Sequence, residues 1–157
     1  METLSPLLTR FLTSAEMRQV EALFEAIIPP DPATGCPGAR AVGAADFLQR
    51  LLALDETRVA DVPRWRAQYR QGLHALDAVA RARDVGPLAA LAVDPAAALL
   101  TDLAAAKIVG MPAAFDQKSW FGNLRDHCIQ GCFADPRWGG NRDGAMWKWF
   151  GYLHEVR

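Results

Sequence analysis

Two stretches of the chain hold the residue types that can do chemistry. The first is "HCIQGC", His127 to Cys132. On a helix Cys128 and Cys132 stand one turn apart on a shared face, where two thiolates can meet a metal such as Zn²⁺. A structural zinc site takes four ligands, and the usual second Cys/His pair is missing; Cys36 with His74 or His154 would complete the set only through the fold. The competing reading makes both cysteines small buried hydrophobes on a core stripe. A disulfide between them is disfavoured, because a helix points both Cβ atoms along its face. His127 titrates near neutrality and is a candidate general base. Its neighbour Asp126 lies about 100° further round a helix and forms no dyad with it. The plainer role for His127 is structural, capping or orienting the loop that follows.

The second stretch is "GGNRDG", residues 139–144. Successive glycine backbones can form an anion-binding nest, and Arg142 supplies positive charge. A phosphate loop or dinucleotide fingerprint needs a preceding strand and its own glycine spacing, and neither is present. Asn141 and Asp143 instead suit a turn and a helix cap, while Gly139, Gly140 and Gly144 permit left-handed backbone. Asp135 and Pro136 break the pattern just before the loop, and an Arg142–Asp143 pair is one way to hold it.

Around this loop the segment "ADPRWGGNRDGAMWKWFGY", residues 134–152, gathers three of the five tryptophans with Phe150 and Tyr152. Trp147 and Phe150 are three residues apart and fall on one helical face, with Trp149 on another. Trp, Tyr and Arg together form the composition of interface hot spots, and a small domain cannot easily bury five tryptophans. The residues alone therefore favour a partner surface, with Trp138, Arg142, Trp147 and Lys148 as candidate contacts. His127, Asp135, Gly139, Gly140, Asn141, Asp143 and Gly144 are the candidates for structuring the loop.

The elements that position these stretches are helical. Thr13 caps a first helix and closes a capping box with Glu16, while Leu12 faces Met17 as a hydrophobic staple. Met17, Val20, Leu23, Phe24, Ile27 and Ile28 recur at helical spacing until Pro29 and Pro30 stop the run. A Pro/Gly-rich loop follows. A second helix begins near Ala44, with Phe47, Leu48, Leu51 and Leu52 on one face. A third runs from about Pro63 towards Arg83, with a stripe of Trp65, Tyr69, Leu73, Leu76 and Val79 or Ala80. Asp94 and Pro95 open a fourth, which carries Leu99, Leu100, Leu103 and Ile108 and stops at Gly110–Pro112. A fifth spans roughly 114–133 with Phe115, Trp120 or Phe121, Leu124, Cys128 and Cys132. No period-two alternation appears, so the expected fold is all-α, a single domain over residues 1–157 that ends in a glycine- and aromatic-rich loop and a short helix.

Composition narrows the function classes. The 157 residues are 51% hydrophobic and 22% charged, with a formal net charge of -1. Near-neutrality and scattered basic residues argue against nucleic acid and against electrostatic binding to an anionic membrane. No apolar run reaches the roughly 20 residues of a membrane span. Three cysteines are too few for a disulfide framework. The N-terminus shows no basic region followed by an apolar one, so no leader is expected there.

Read together, "FLTSAEMRQVEALFEAIIPPD", "GAADFLQRLL", "YRQGLHALDAVARARDVGPLAALA" and "LRDHCIQGCFADPRWGGNRDGAMWKWFGY" resemble the gluconate 2-dehydrogenase subunit 3 family. The resemblance spans about Phe11 to Tyr152. Its most specific part is carried by His127, Gly131, Phe133, Asp135, Pro136, Gly139, Gly140, Asn141, Arg142, Asp143, Gly144, Trp147, Lys148, Gly151 and Tyr152. It implies a small, non-catalytic accessory subunit that holds no cofactor. FAD and the catalytic base would belong to a partner flavoprotein of the glucose-methanol-choline type. A cytochrome c subunit would accept the electrons, and the complex would oxidise a sugar or sugar acid in the periplasm. Members commonly carry a twin-arginine leader; none is read before "FLTSAE", so the expectation is that the leader has been removed, that the partner carries the signal, or that the complex stays in the cytoplasm. Cysteines at 128 and 132 depart from the family pattern, which argues against an inherited metal site. The rival readings are a thiol metal or redox module built on Cys128 and Cys132, and a self-sufficient enzyme with His127 as base.

Overall fold

The computed structural model describes residues 10–152. His154, offered as a metal ligand, and the N-terminal stretch in which a leader was sought lie outside the described residues. Six α-helices follow in order: α1 Ser14–Ile27, α2 Ala44–Leu52, α3 Val62–Ala82, α4 Val93–Ala104, α5 Gln117–Phe133 and α6 Ala145–Trp149. Short 3₁₀ turns cover Leu88–Ala90, Pro136–Trp138 and Arg142–Gly144. The fold is all-α.

Local chemistry explains the helix ends. The Thr13 hydroxyl accepts from the Glu16 N–H at 3.1 Å, and the Glu16 carboxylate accepts from the Thr13 N–H at 3.3 Å, closing the capping box. Pro63 sits in the first turn of α3, where a missing N–H costs nothing. Three boundaries differ from the sequence expectation. The fourth helix is capped by Ala92 without a side-chain bond, and Asp94 lies inside its first turn. It ends at Ala104 and not at Ile108, because Ala106 takes a left-handed φ of 56° and the Lys107 N–H turns back to the Asp102 carbonyl. Ile108 is still buried, with its backbone N–H and C=O both held at 3.1 Å by the Gln117 amide. The fifth helix starts at Gln117, not near Ala114, because Asp116 caps it by accepting from the Ser119 N–H at 2.9 Å.

The core is one cluster fed by all six helices. Val20, Leu23, Phe24, Leu48, Leu52, Leu73, Leu76, Leu99, Leu103 and Leu124 are buried in it, as the helical stripes require. Both Val79 and Ala80 are buried; Trp120 is fully buried while Phe121 is half-buried. The most extensive helix contacts are α2 with α5 and α1 with α4. Two glycines set how closely α5 approaches its neighbours. The Trp120 ring lies so near Gly72 of α3 that a Cβ there would meet it at 2.7 Å. A Cβ on Gly131 would stand 2.5 Å from the Ala44 carbonyl oxygen of α2.

A polar clamp fastens the chain entering α1. Buried Gln49 accepts from the N–H groups of Phe11 and Leu12 at 3.0 and 2.8 Å, and donates to the Leu12 carbonyl at 2.9 Å. Arg70 donates to the Phe11 carbonyl at 2.9 Å and lies over the Phe11 ring. Satisfying three backbone groups is what lets a polar Gln sit in the core face of α2.

Candidate functional site

The loop 139–144 docks where α5 and α2 come closest. Asn141, fully buried, anchors it. Its backbone N–H donates to the Gly131 carbonyl at 2.8 Å, and its side-chain amide donates to the Ala134 carbonyl at 2.9 Å. Its side-chain oxygen accepts from the Met146 N–H at 3.0 Å, satisfying one of the free donors at the start of α6. The residue adopts φ 37°, ψ 46°, a left-handed conformation that Asn tolerates better than most side chains. The next N–H, that of Arg142, donates to the Val42 carbonyl at 3.0 Å, two residues before α2. One dipeptide thus links the end of α5 to the start of α2.

Gly140 is obligatory here. It has φ +69°, and a Cβ would run into the Gly131 carbonyl. Gly139, at φ +88°, lies against the Asp46 and Phe47 backbone. Asp143 also has positive φ, 58°, and is exposed. The glycines therefore serve close backbone approach.

Arg142 pairs with Asp46 of α2 at 3.1 Å, and not with Asp143. Both side chains are more than half exposed, so the pair contributes no more than about 1 kcal/mol. Asp135 caps the 3₁₀ turn through the Arg137 N–H at 3.0 Å. Trp147 is half-buried, and its indole N–H donates to the Phe133 carbonyl at 2.7 Å. Lys148 is exposed on α6. Trp138 is 57% exposed, with the Arg137 guanidinium over its ring. Trp149 reaches back to the Thr34 carbonyl at 2.9 Å. Phe150 and Tyr152 stack on one another at the surface, and Phe150 also meets Phe133. The four sequence candidates for partner contact thus separate: Trp138 and Lys148 face outward, Arg142 bridges to α2, and Trp147 braces the loop.

His127 does not reach the loop. It lies buried in α5, with Nδ1 2.8 Å from the Tyr69 hydroxyl of α3 and its ring edge-on to Trp65. Burial disfavours the imidazolium and lowers its pKa to about 4, although Asp126 pulls the other way. Burial also pushes the Tyr69 phenol well above its usual range. Near neutral pH both groups are uncharged, and the phenol and the imidazole Nδ1 share one neutral hydrogen bond. This arrangement ties α3 to α5. A second polar tie runs beside it, from Asn123 to Gln68 at 2.6 Å and from Gln68 to Ser119 at 3.1 Å.

Cys128 and Cys132 are both buried in the core, and the Cys128 thiol donates weakly to the Phe24 carbonyl at 3.6 Å. The adjacent Cys132 and burial push the Cys128 thiol strongly up, away from the thiolate a metal needs. Cys36 lies elsewhere, in an isolated bridge with Asp31. Among the described residues no group of three or more His, Cys, Asp or Glu is placed to hold a metal ion. No described helix is long and apolar enough to cross a membrane.

Sequence reading missed Gln49 and Gly72, and named Gly131 only as part of the family resemblance, without its role in helix packing. An isolated Gly inside a helix is the signal that pointed to Gly72.

No curated protein and no solved structure matches the chain. A family match does, over residues 14–152, and its description is gluconate 2-dehydrogenase subunit 3. That span contains every helix and the whole Asn141 loop, so the chain belongs to the gluconate 2-dehydrogenase subunit 3 family.

Proposed function

We propose that this chain is a non-catalytic small subunit of a FAD-dependent dehydrogenase that oxidises a sugar or sugar acid. FAD and the catalytic base belong to a glucose-methanol-choline-type partner, and this chain supports that partner's assembly, stability or export. A cytochrome c subunit takes the electrons, and the complex works in the periplasm. The observation that carries this reading is the family match, whose description names a subunit of a larger enzyme. The loop chemistry supports it. The polar groups of Asn141 and Trp147 are turned inward on backbone partners, and His127 is buried against Tyr69. Those bonds serve architecture, while Trp138, Phe150 and Tyr152 offer exposed aromatic area of the kind found at interface hot spots.

The test is co-expression with a glucose-methanol-choline-type flavoprotein dehydrogenase from the same genome. The two chains should purify together with flavin in the partner, and omitting this chain should lower the yield of soluble flavoprotein. Sugar oxidation by this chain alone, with an artificial electron acceptor, would overturn the reading.

A further inference from the structure

Beside the Asn141 loop lies an open cleft of about 770 Å³, lined by Arg10, Asp46, Gln49, Arg50, Pro136, Gly139, Gly140, Arg142 and Asp143. Its arginines are not equivalent. Arg142 is neutralised by Asp46. Arg50 is held in place by one bond from its guanidinium to the Arg137 carbonyl at 2.9 Å, and meets no carboxylate among the described residues. Arg10 makes no ion pair or hydrogen bond among them. Arg10 and Arg50 thus line the cleft without an ion pair among the described residues, and its three arginines outnumber its two carboxylates, Asp46 and Asp143, in a chain whose formal net charge is -1. Exposed Trp138 lies in the chain between Arg137, whose carbonyl Arg50 reaches, and Gly139, which lines the cleft.

We propose that this cleft is a docking site for an acidic segment of the dehydrogenase's catalytic subunit, with Arg10 and Arg50 receiving its carboxylates and Trp138 packing against its flank. The proposal rests on the accessory-subunit reading above. Planar guanidinium forks match carboxylates in a bidentate manner, and several donors of Arg50 are left after its one backbone bond. The floor is glycine backbone held rigidly on α5 and α2, so a partner chain can approach closely. Asp46 and Asp143 on the same wall oppose a compact dianion such as phosphate more than single carboxylates spaced along a polypeptide.

The experiment measures binding of the full chain to its flavoprotein partner for wild type, Arg10→Glu, Arg50→Glu and the double variant. Arg125→Glu, an exposed arginine outside the cleft, serves as control. Arg10→Glu breaks no bond seen here, so it separates docking from folding, and thermal unfolding checks the rest. The double variant should weaken binding about tenfold or more, and should flatten the loss of affinity between about 0.05 and about 0.5 M NaCl. An acidic-to-basic change in the partner that restores binding to Arg50→Glu identifies the matching carboxylate. Unchanged affinity and salt dependence in folded double variants would overturn the cleft proposal while leaving the subunit reading standing. Binding of inorganic phosphate that Arg50→Glu abolishes, with the complex unaffected, would also overturn it in favour of a small-anion site. If wild type forms no complex at all, the subunit reading itself fails and takes the cleft with it.

Discussion

The backbone N–H of Asn141 donates to the carbonyl of Gly131 at 2.8 Å, across the narrowest point between the C-terminal loop and the core. That carbonyl belongs to the residue whose Cα already lies against the Ala44 backbone, so loop, α5 and α2 converge on one glycine. Asn141→Ala removes both side-chain bonds and leaves a buried carbonyl and N–H unpaired in a left-handed residue. The expected loss is about 2–4 kcal/mol in urea unfolding, with α6 detaching first in hydrogen exchange.

Two glycines of α5 should respond oppositely to the same substitution. At Gly131 an added methyl meets Ala44 backbone, which cannot move without shifting a helix. Gly131→Ala should therefore destabilise by about 2 kcal/mol or more. At Gly122 nothing lies within 4 Å of an added Cβ. Gly122→Ala should stabilise by about 0.5–1 kcal/mol through helix propensity, raising the thermal midpoint.

His127 makes stability depend on pH. Its folded pKa of about 4 lies below the usual value of 6.5, so between these limits the unfolded chain binds more protons. The stabilising effect of the neutral imidazole is complete above about pH 6.5 and declines as pH falls towards 4. The full swing is about 3 kcal/mol at one pKa unit per 1.36 kcal/mol. His127→Gln should be less stable at pH 7 but show a flatter stability profile between pH 4 and 6.5; an unchanged slope would discard this assignment.

The three thiols should separate by reactivity. Cys36 is partly exposed, whereas Cys128 and Cys132 are buried with a raised Cys128 thiol pKa. Alkylation of native protein should modify Cys36 first, and the other two should react only on unfolding. Mass spectrometry after timed quenching reads this directly.

Trp138 and Trp147 distinguish contact from bracing. Trp147→Phe loses the bond to the Phe133 carbonyl and should cost about 1 kcal/mol of folding stability. Trp138→Ala should leave stability within about 0.5 kcal/mol, as for an exposed side chain. If Trp138 flanks the docked partner, that same variant lowers complex recovery.

The residue pattern alone was enough for the helices. Their stripes repeat at 3.6 residues, and their starts carry local chemistry, such as Thr13 with Glu16, that acts within one turn. It also marked "GGNRDG" as a turn, because left-handed backbone has a narrow residue preference. Where α4 stops was less legible: Ile108 fits the stripe, yet its burial comes from Gln117 holding a loop rather than from helix. Tertiary structure alone decided the long-range pairings. Arg142 reaches Asp46 across 96 positions, and His127 meets Tyr69 across 58. Gln49 finds Leu12 across 37. A periodic pattern says which face of each helix is buried, but not which helix lies opposite. That choice was made by close approach at Gly72 and Gly131, where the absence of a side chain let α5 settle against α3 and α2 and brought the loop onto α5 and α2.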